Sequence, residues 1–112
     1  MEQIIISKVA DHCRVSFADM RSPSRFNKIV KARHIAFYLM RKHTNLSSSQ
    51  IGSLLFRDHT TTLHACKSVE NQMKLYSTYR NEIEDLSREI QNALPVLIEG
   101  EEVFMEPDFF TN

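Results

Sequence analysis

A chain of 112 residues, 42% apolar and 25% charged, is sized for one globular domain that buries a modest core without covalent staples. No apolar run approaches the ~18–20 residues of a membrane span, and Met1-Glu2-Gln3, with only Ile4-Ile5-Ile6 behind it, lacks the form of a secretory signal, so a cytoplasmic setting is expected. The net charge is zero but divided: residues 1–80 hold 13 of the 14 Lys and Arg and 5 of the 14 Asp and Glu, a balance of +8, and residues 81–112 hold the rest, −8.

In chain order, Ile4 to Val15 reads as a helix with Ile5, Val9, His12 and Cys13 facing inward. Ser16-Phe17-Ala18-Asp19 has the form of a capping box and starts a short helix. Arg21-Ser22-Pro23-Ser24-Arg25-Phe26-Asn27-Lys28 is a basic loop by its Pro and Ser content. A helix from about Lys31 to His43 is expected to bury Ala32, Ile35, Ala36, Leu39 and Met40 and to expose Arg33, His34, Arg41 and Lys42. Ser47-Ser48-Ser49-Gln50 is a second capping box and opens the helix Ser48–Leu55. Phe56-Arg57 separates it from a helix that Asp58 starts and that runs to about Tyr76. Here Leu63, Cys66, Val69 and Met73 repeat at helical spacing as the buried stripe, with Thr60, His64, Lys67 and Asn71 opposite. A last helix begins at Tyr79, because Tyr79, Ile83, Leu86 and Ile90 recur at helical spacing, and Pro95 lies just past its end. Beyond it, glutamates interrupt the apolar runs Val96-Leu97-Ile98 and Val103-Phe104-Met105. The expected organisation is an all-α, compact multi-helix bundle over residues 1–94 and an acidic tail over 95–112.

A short helix, a tight turn and a polar-fronted helix, in that order, are what a helix-turn-helix needs. Asp58 can accept hydrogen bonds from the free N–H groups that follow it, or accept from a cytosine amino group. His59 can donate to a guanine edge, and Thr60 and Thr61 can meet thymine methyls, bases or phosphates. Arg25, Lys28, Lys31 and Arg33 cluster before or at a helix start, where cations oppose the helix dipole and gain nothing locally. An external anion would account for them, and an Arg on a loop can enter a minor groove. Arg41, Lys42 and Lys67 are natural phosphate partners, and Arg57, just before Asp58, is a further candidate DNA-binding residue.

Other chemistry is poorly supported. His59 and His64 are not spaced to point two metal ligands the same way, and His64 and Cys66 face different directions. Cys13 and Cys66 do not make a disulfide framework and read as small buried hydrophobes. Glu82, Glu84, Asp85 and Glu89 form a solvated helix face rather than an acid–base pair.

The run Arg57-Asp58-His59-Thr60-Thr61 followed by Leu63-His64-Ala65-Cys66-Lys67 resembles the signature of the DNA-binding C-terminal domain of the bacterial replication initiator DnaA. The likeness extends back through Thr44-Asn45-Leu46-Ser47, Ile51-Gly52, Arg33, Ala18-Asp19 and Ile6-Ser7-Lys8-Val9-Ala10, over roughly residues 4 to 90. It implies a helix-turn-helix fold of the DnaA C-terminal or Trp-repressor type, double-stranded DNA as partner, a nucleoid-associated setting and a role linked to replication initiation. By the same resemblance Arg25 matches a minor-groove arginine, Arg33 a DNA-facing one, and His64 a position at the buried edge of its helix.

Departures from the family pattern are local. The paired glycines that usually precede the Arg-Asp-His-Thr-Thr run are missing, one residue is deleted, and Phe56 occupies the turn, where positive φ is costlier than for Gly. Ala32 stands in place of a proline, and Pro23 and Asn27 in place of loop cations. A phosphate loop of the form G-x-x-x-x-G-K-[ST] is absent from a chain whose two glycines are Gly52 and Gly100. A DNA-binding module is therefore expected, with no ATPase, no other enzymatic activity and no cofactor. The competing expectation is a protein-interaction module that kept the fold and lost DNA, using the tail as a candidate segment for a protein partner or self-association.

Overall fold

The computed structural model describes residues 1–93, which form six helices and, among these residues, no strand: α1 (Glu2–Cys13), α2 (Phe17–Arg21), α3 (Asn27–His43), α4 (Ser48–Leu54), α5 (His59–Leu75) and α6 (Ser77–Ala93). The expected acidic tail lies outside the described residues. Both capping boxes form. Ser16 Oγ accepts from the Asp19 N–H at 2.9 Å while Asp19 Oδ2 accepts from the Ser16 N–H at 3.1 Å. Ser47 and Gln50 make the same exchange at 3.1 and 2.8 Å. Helix α1 stops at Arg14, whose φ of 59° is left-handed, and the Val15 N–H returns to the Ala10 carbonyl at 3.0 Å, a bond that satisfies an otherwise orphaned helix-end acceptor.

Helix α3 begins at Asn27, earlier than the expected start near Lys31. Two serine turns shorten the preceding loop: Ser22 Oγ accepts from the Ser24 N–H at 3.3 Å and Ser24 Oγ from the Phe26 N–H at 3.2 Å. Asn27 and Lys28 are thereby drawn into the first helical turn. Helix α3 is also the centre of the bundle, with α1, α2, α4 and α5 against it. Ala32, Ile35, Ala36, Phe37, Leu39 and Met40 are all buried. Phe37 was not part of the expected apolar face; a helix packed on several sides buries positions that a single stripe omits. Each of the larger of these side chains contributes about 1.5–3 kcal/mol by leaving water.

Helix α6 closes the bundle over α1 and α5 with Ile83, Leu86 and Ile90. Ser87, buried among them, is within 2.7 Å of His43 Nε2 at the end of α3, so its hydroxyl is not left without a partner. On the same flank Glu82 meets His12 Nε2 at 2.6 Å and Lys31 Nζ at 3.1 Å. His12, expected to face inward, is exposed and reaches across to α6. Burial works to raise the Glu82 carboxyl, but the hydrogen bonds from His12 and Lys31 outweigh it and hold the group below its ordinary range. Tyr79 beside it is pushed up to about 12 by burial. Cys66 is buried and Cys13 half-buried, and burial raises both thiols.

The turn Leu55–Asp58 between α4 and α5 is held by two N–H groups, of Leu55 and Arg57, donating to the Gly52 carbonyl at 3.0 and 2.8 Å. A Cβ on Gly52 would lie 2.6 Å from the Arg57 carbonyl, 2.7 Å from Thr62 Oγ1 and 2.9 Å from the Asp58 carbonyl. Only glycine allows the start of α5 to approach α4 this closely. Phe56 takes a left-handed conformation, φ 58°, so the turn keeps positive φ without a glycine.

Candidate nucleic-acid interface

Helix α5 presents its first turn to solvent because its cap is local and its burial begins one turn in. Asp58 Oδ1 accepts from the Thr61 N–H at 2.8 Å, and this bond, first among its causes, lowers the Asp58 pKa. The carboxylate is thus both cap and fixed negative charge at the exposed tip. His59, Thr60 and Thr61 are exposed beside it. The buried stripe is Thr62, Ala65, Cys66 and Val69, which corrects the expected one: Leu63 is exposed and Thr62 fully buried. Thr62 can be buried because its hydroxyl donates to the Asp58 carbonyl at 3.2 Å in the space left by Gly52. His64 is exposed, not at a buried edge, and lines a shallow groove along α5 with Lys67, Ser68, Asn71 and Gln72.

The four cations around the loop divide. Arg25 and Lys28 are exposed. Lys31 is turned away to Glu82. Arg33, expected on an exposed face and directed at DNA, is only 6% exposed. Its Nε donates to the Met20 carbonyl at 2.8 Å and its Nη2 to the Ser22 carbonyl at 2.7 Å. The reason is loop geometry: the end of α2 aims several carbonyls inward, and a guanidinium, with five donors in a planar fork, can satisfy them together. Burial, then the neighbouring Arg57 charge, lowers the Arg33 pKa.

Arg57 completes this knot. Its Nη2 also donates to the Ser22 carbonyl, at 2.6 Å, and its Nη1 to the Leu55 and Phe56 carbonyls at 3.0 and 3.1 Å. One carbonyl thereby ties the loop to the residue before Asp58. Arg25 is three residues further along, within about 10 Å of chain, so the loop cation and the α5 tip are held as neighbours. Arg21, expected only as part of the basic loop, lies in the last turn of α2, stacks its guanidinium on the Phe17 and Phe56 rings at 4.2 and 4.6 Å and donates to the Leu54 carbonyl at 2.9 Å. The Phe17–Arg21 spacing on one helix face could have suggested half of this contact; the Phe56 half depends on tertiary packing. Arg41 lies beside Cys66, its charge partly offsetting the rise that burial gives that thiol, and Lys42 and Lys67 are exposed nearby on α3 and α5. Among the described residues no group of three His, Cys, Asp or Glu side chains gathers as metal ligands.

A model of the bacterial DnaA protein helix-turn-helix matches residues 2–69, the stretch containing the knot, the turn and the α5 tip. The chain belongs to this DnaA helix-turn-helix family. Its relatives include chromosomal replication initiator proteins DnaA from Bacteroides fragilis, 36% identical over 83 residues, which is 73% of this chain and 17% of that protein, and from Lachnoclostridium phytofermentans, 39% over 88 residues, 78% and 19%. The DnaA of Thermomicrobium roseum is 42% identical over 73 residues, 64% of this chain and 16% of that protein. The chain spans less than a fifth of the length of these DnaA relatives. No helix among the described residues is long and apolar enough to cross a membrane.

Proposed function

We propose that this domain binds double-stranded DNA in a sequence-specific manner, with the α5 tip in the major groove and the Arg25 loop in the adjacent minor groove, at a DnaA-box-like site, in replication initiation or its control. The observation that carries the reading is the exposed row Asp58, His59, Thr60 and Thr61 beside an exposed Arg25, the two joined through the Ser22 carbonyl. A major groove ~12 Å wide admits one helix, and its base edges match carboxylate, imidazole and hydroxyl partners. Arg25 and Lys28 reach the flanking strand, and Arg41, Lys42 and Lys67 supply phosphate contacts that hold register. Arg33 and Arg57 act behind this surface, by fixing the loop and the turn. A protein-interaction module is the second reading, favoured by the −8 balance of residues 81–112.

Selection of bound sequences from a random duplex pool, followed by mobility shifts across a salt series, separates the two. Five cations facing the duplex predict an affinity that falls with salt at a log–log slope of about −4.5 if each neutralises one phosphate, since each contributes about −0.9. No shift at low salt would sink the DNA reading and leave the interaction module.

A further inference from the structure

We infer that Arg21 is a positioning residue for DNA readout, fixing the spacing between the base pairs met by the α5 tip and those met by the Arg25 loop. The inference rests on the DNA-binding reading of that end of the molecule and adds what sets its register. Helix α2 packs on α1 and α3, and α4 on α3 and α5. Each ends near one fully buried anchor, Met20 or Leu55. Beyond the anchors the chain runs out to solvent, with Arg25 and Phe26 exposed on one side and Phe56 and Asp58 on the other. Two arginines join these outgoing segments directly.

The two ties are reciprocal. Arg21, at the end of α2, donates from Nε to the Leu54 carbonyl at 2.9 Å. Arg57, in the turn, donates from Nη2 to the Ser22 carbonyl at 2.6 Å. One such bond leaves a hinge, whereas two that run in opposite directions fix separation and rotation together. Arg57 cannot do this alone, because its Nη1 is engaged by the Leu55 and Phe56 carbonyls of its own turn. The Arg21 guanidinium also lies against the Phe56 ring at 4.6 Å, so its stack crosses the same gap as its hydrogen bond. Phe56 is left-handed and 65% exposed: the turn sends a ring to the surface, where it meets Arg21.

Neighbouring carboxylates do not account for Arg21. Asp19 accepts from the Ser16 N–H and Asp58 from the Thr61 N–H. Glu2 and Asp11 line the groove between α1 and α2 together with Arg21, yet none of the ion pairs among the described residues includes Arg21. A guanidinium can donate at its edge while its plane stacks, which an ammonium cannot do. Half-buried and engaged by a carbonyl and two rings, Arg21 acts on DNA through the loop and the turn rather than by touching it. Adjacent base pairs stand ~3.4 Å apart, so a slip of that size between loop and tip moves Arg25 to the next step.

The test uses the full-length chain, Arg21→Lys and Arg21→Met, with Lys28→Met as the comparison for a direct phosphate contact. Bound sequences are selected from a random duplex pool where denaturation shows each protein folded, and affinities are measured over a salt series. The parent is expected to select the tip's and the loop's preferred stretches at one spacing. Both Arg21 variants should keep each preference but select sites whose two stretches stand at mixed spacings. They should bind the parent's best site about three- to tenfold more weakly and random duplex as tightly as the parent does. Their salt slopes should match the parent's, whereas Lys28→Met should lose about 0.9 of slope and keep the spacing. If Arg21→Met does not fold, Arg21→Lys decides. An unchanged spacing in the folded Arg21 variants would overturn the inference. A slope lost in Arg21→Met but kept, with the spacing, in Arg21→Lys would overturn it in favour of a phosphate contact. A parent that selects no sequence overturns the DNA reading itself, and this inference falls with it.

Discussion

Two flanks of the molecule treat positive charge in opposite ways. Where α1, α3 and α6 meet, Lys31 and His12 find a carboxylate, Glu82, and the charge is neutralised where it sits. Around the α2–α3 loop and the α4–α5 turn, Arg21, Arg33 and Arg57 meet backbone carbonyls instead. Carbonyls satisfy the donors but leave the positive charge in place, so this end keeps a field that the exposed Arg25 and Lys28 extend. The contrast separates cations that build the scaffold from cations left exposed to solvent, a distinction that residue type alone does not make.

The largest effect in breaking that contrast is expected at Arg33. Arg33→Met leaves the Met20 carbonyl without a donor in a buried setting and removes one of the two donors of the Ser22 carbonyl, at a cost of about 2–3 kcal/mol. Chemical denaturation should show the loss, and DNA affinity should fall only as the fraction folded falls. Gly52→Ala comes next. Its methyl group would press on backbone oxygens 2.6 and 2.9 Å away, and α5 must shift, costing about 1–3 kcal/mol by overpacking. The same denaturation measurement reads it, and a preserved structure with altered sequence preference would show the tip displaced.

Acidification acts on both flanks, in two stages. His34 and His43 have pKa values lowered from the ordinary 6.5, in both cases by burial first and then by a neighbouring cation, Arg33 for His34 and Lys42 for His43. The unfolded chain binds these protons more readily, so stability present above about pH 6.5 is lost as pH falls below it. Glu82 and Asp58 are lowered carboxylates, whose contributions disappear at still lower pH, below the ordinary carboxylate range. Melting temperature against pH should fall in those two stages, and Glu82→Gln should remove part of the second while leaving the first.

The smallest expected effect is at the turn. Phe56→Gly relieves a left-handed conformation at φ 58°, worth about 1–2 kcal/mol, and removes the ring on which Arg21 stacks, worth about 0.5–1 kcal/mol. The stability change should therefore be within about 1 kcal/mol of zero. A large loss by denaturation would mean that the Arg21 stack carries more of the turn than the backbone strain suggests.

Much of this architecture can be read from local chemistry. Ser16 with Asp19, Ser47 with Gln50, and Asp58 as a cap are decided within four residues, and all three form. The apolar repeats of α3 and α6 are similarly local. What periodicity misses is set by distant parts of the chain. Arg33 is buried because the α2–α3 loop folds its carbonyls over it, and nothing within one turn of Arg33 announces that. Thr62 displaces Leu63 from the buried stripe because Gly52, on another helix, leaves room for a branched hydroxyl. The polar tip was legible as a motif, whereas its link to Arg25 through the Ser22 carbonyl depends on Arg57 crossing between two loops.

The central claim is that the α5 tip and the Arg25 loop read neighbouring stretches of one duplex. The most direct measurement compares per-position base preference for the parent chain, Thr60→Ala and Arg25→Ala. Thr60→Ala should lose about 1–3 kcal/mol on the preferred sequence and little on random DNA, relaxing preference within the major-groove stretch. Arg25→Ala should relax A·T preference in the adjacent stretch and leave the first intact. Uniform loss of affinity by both variants, with every position's preference unchanged, would contradict the claim.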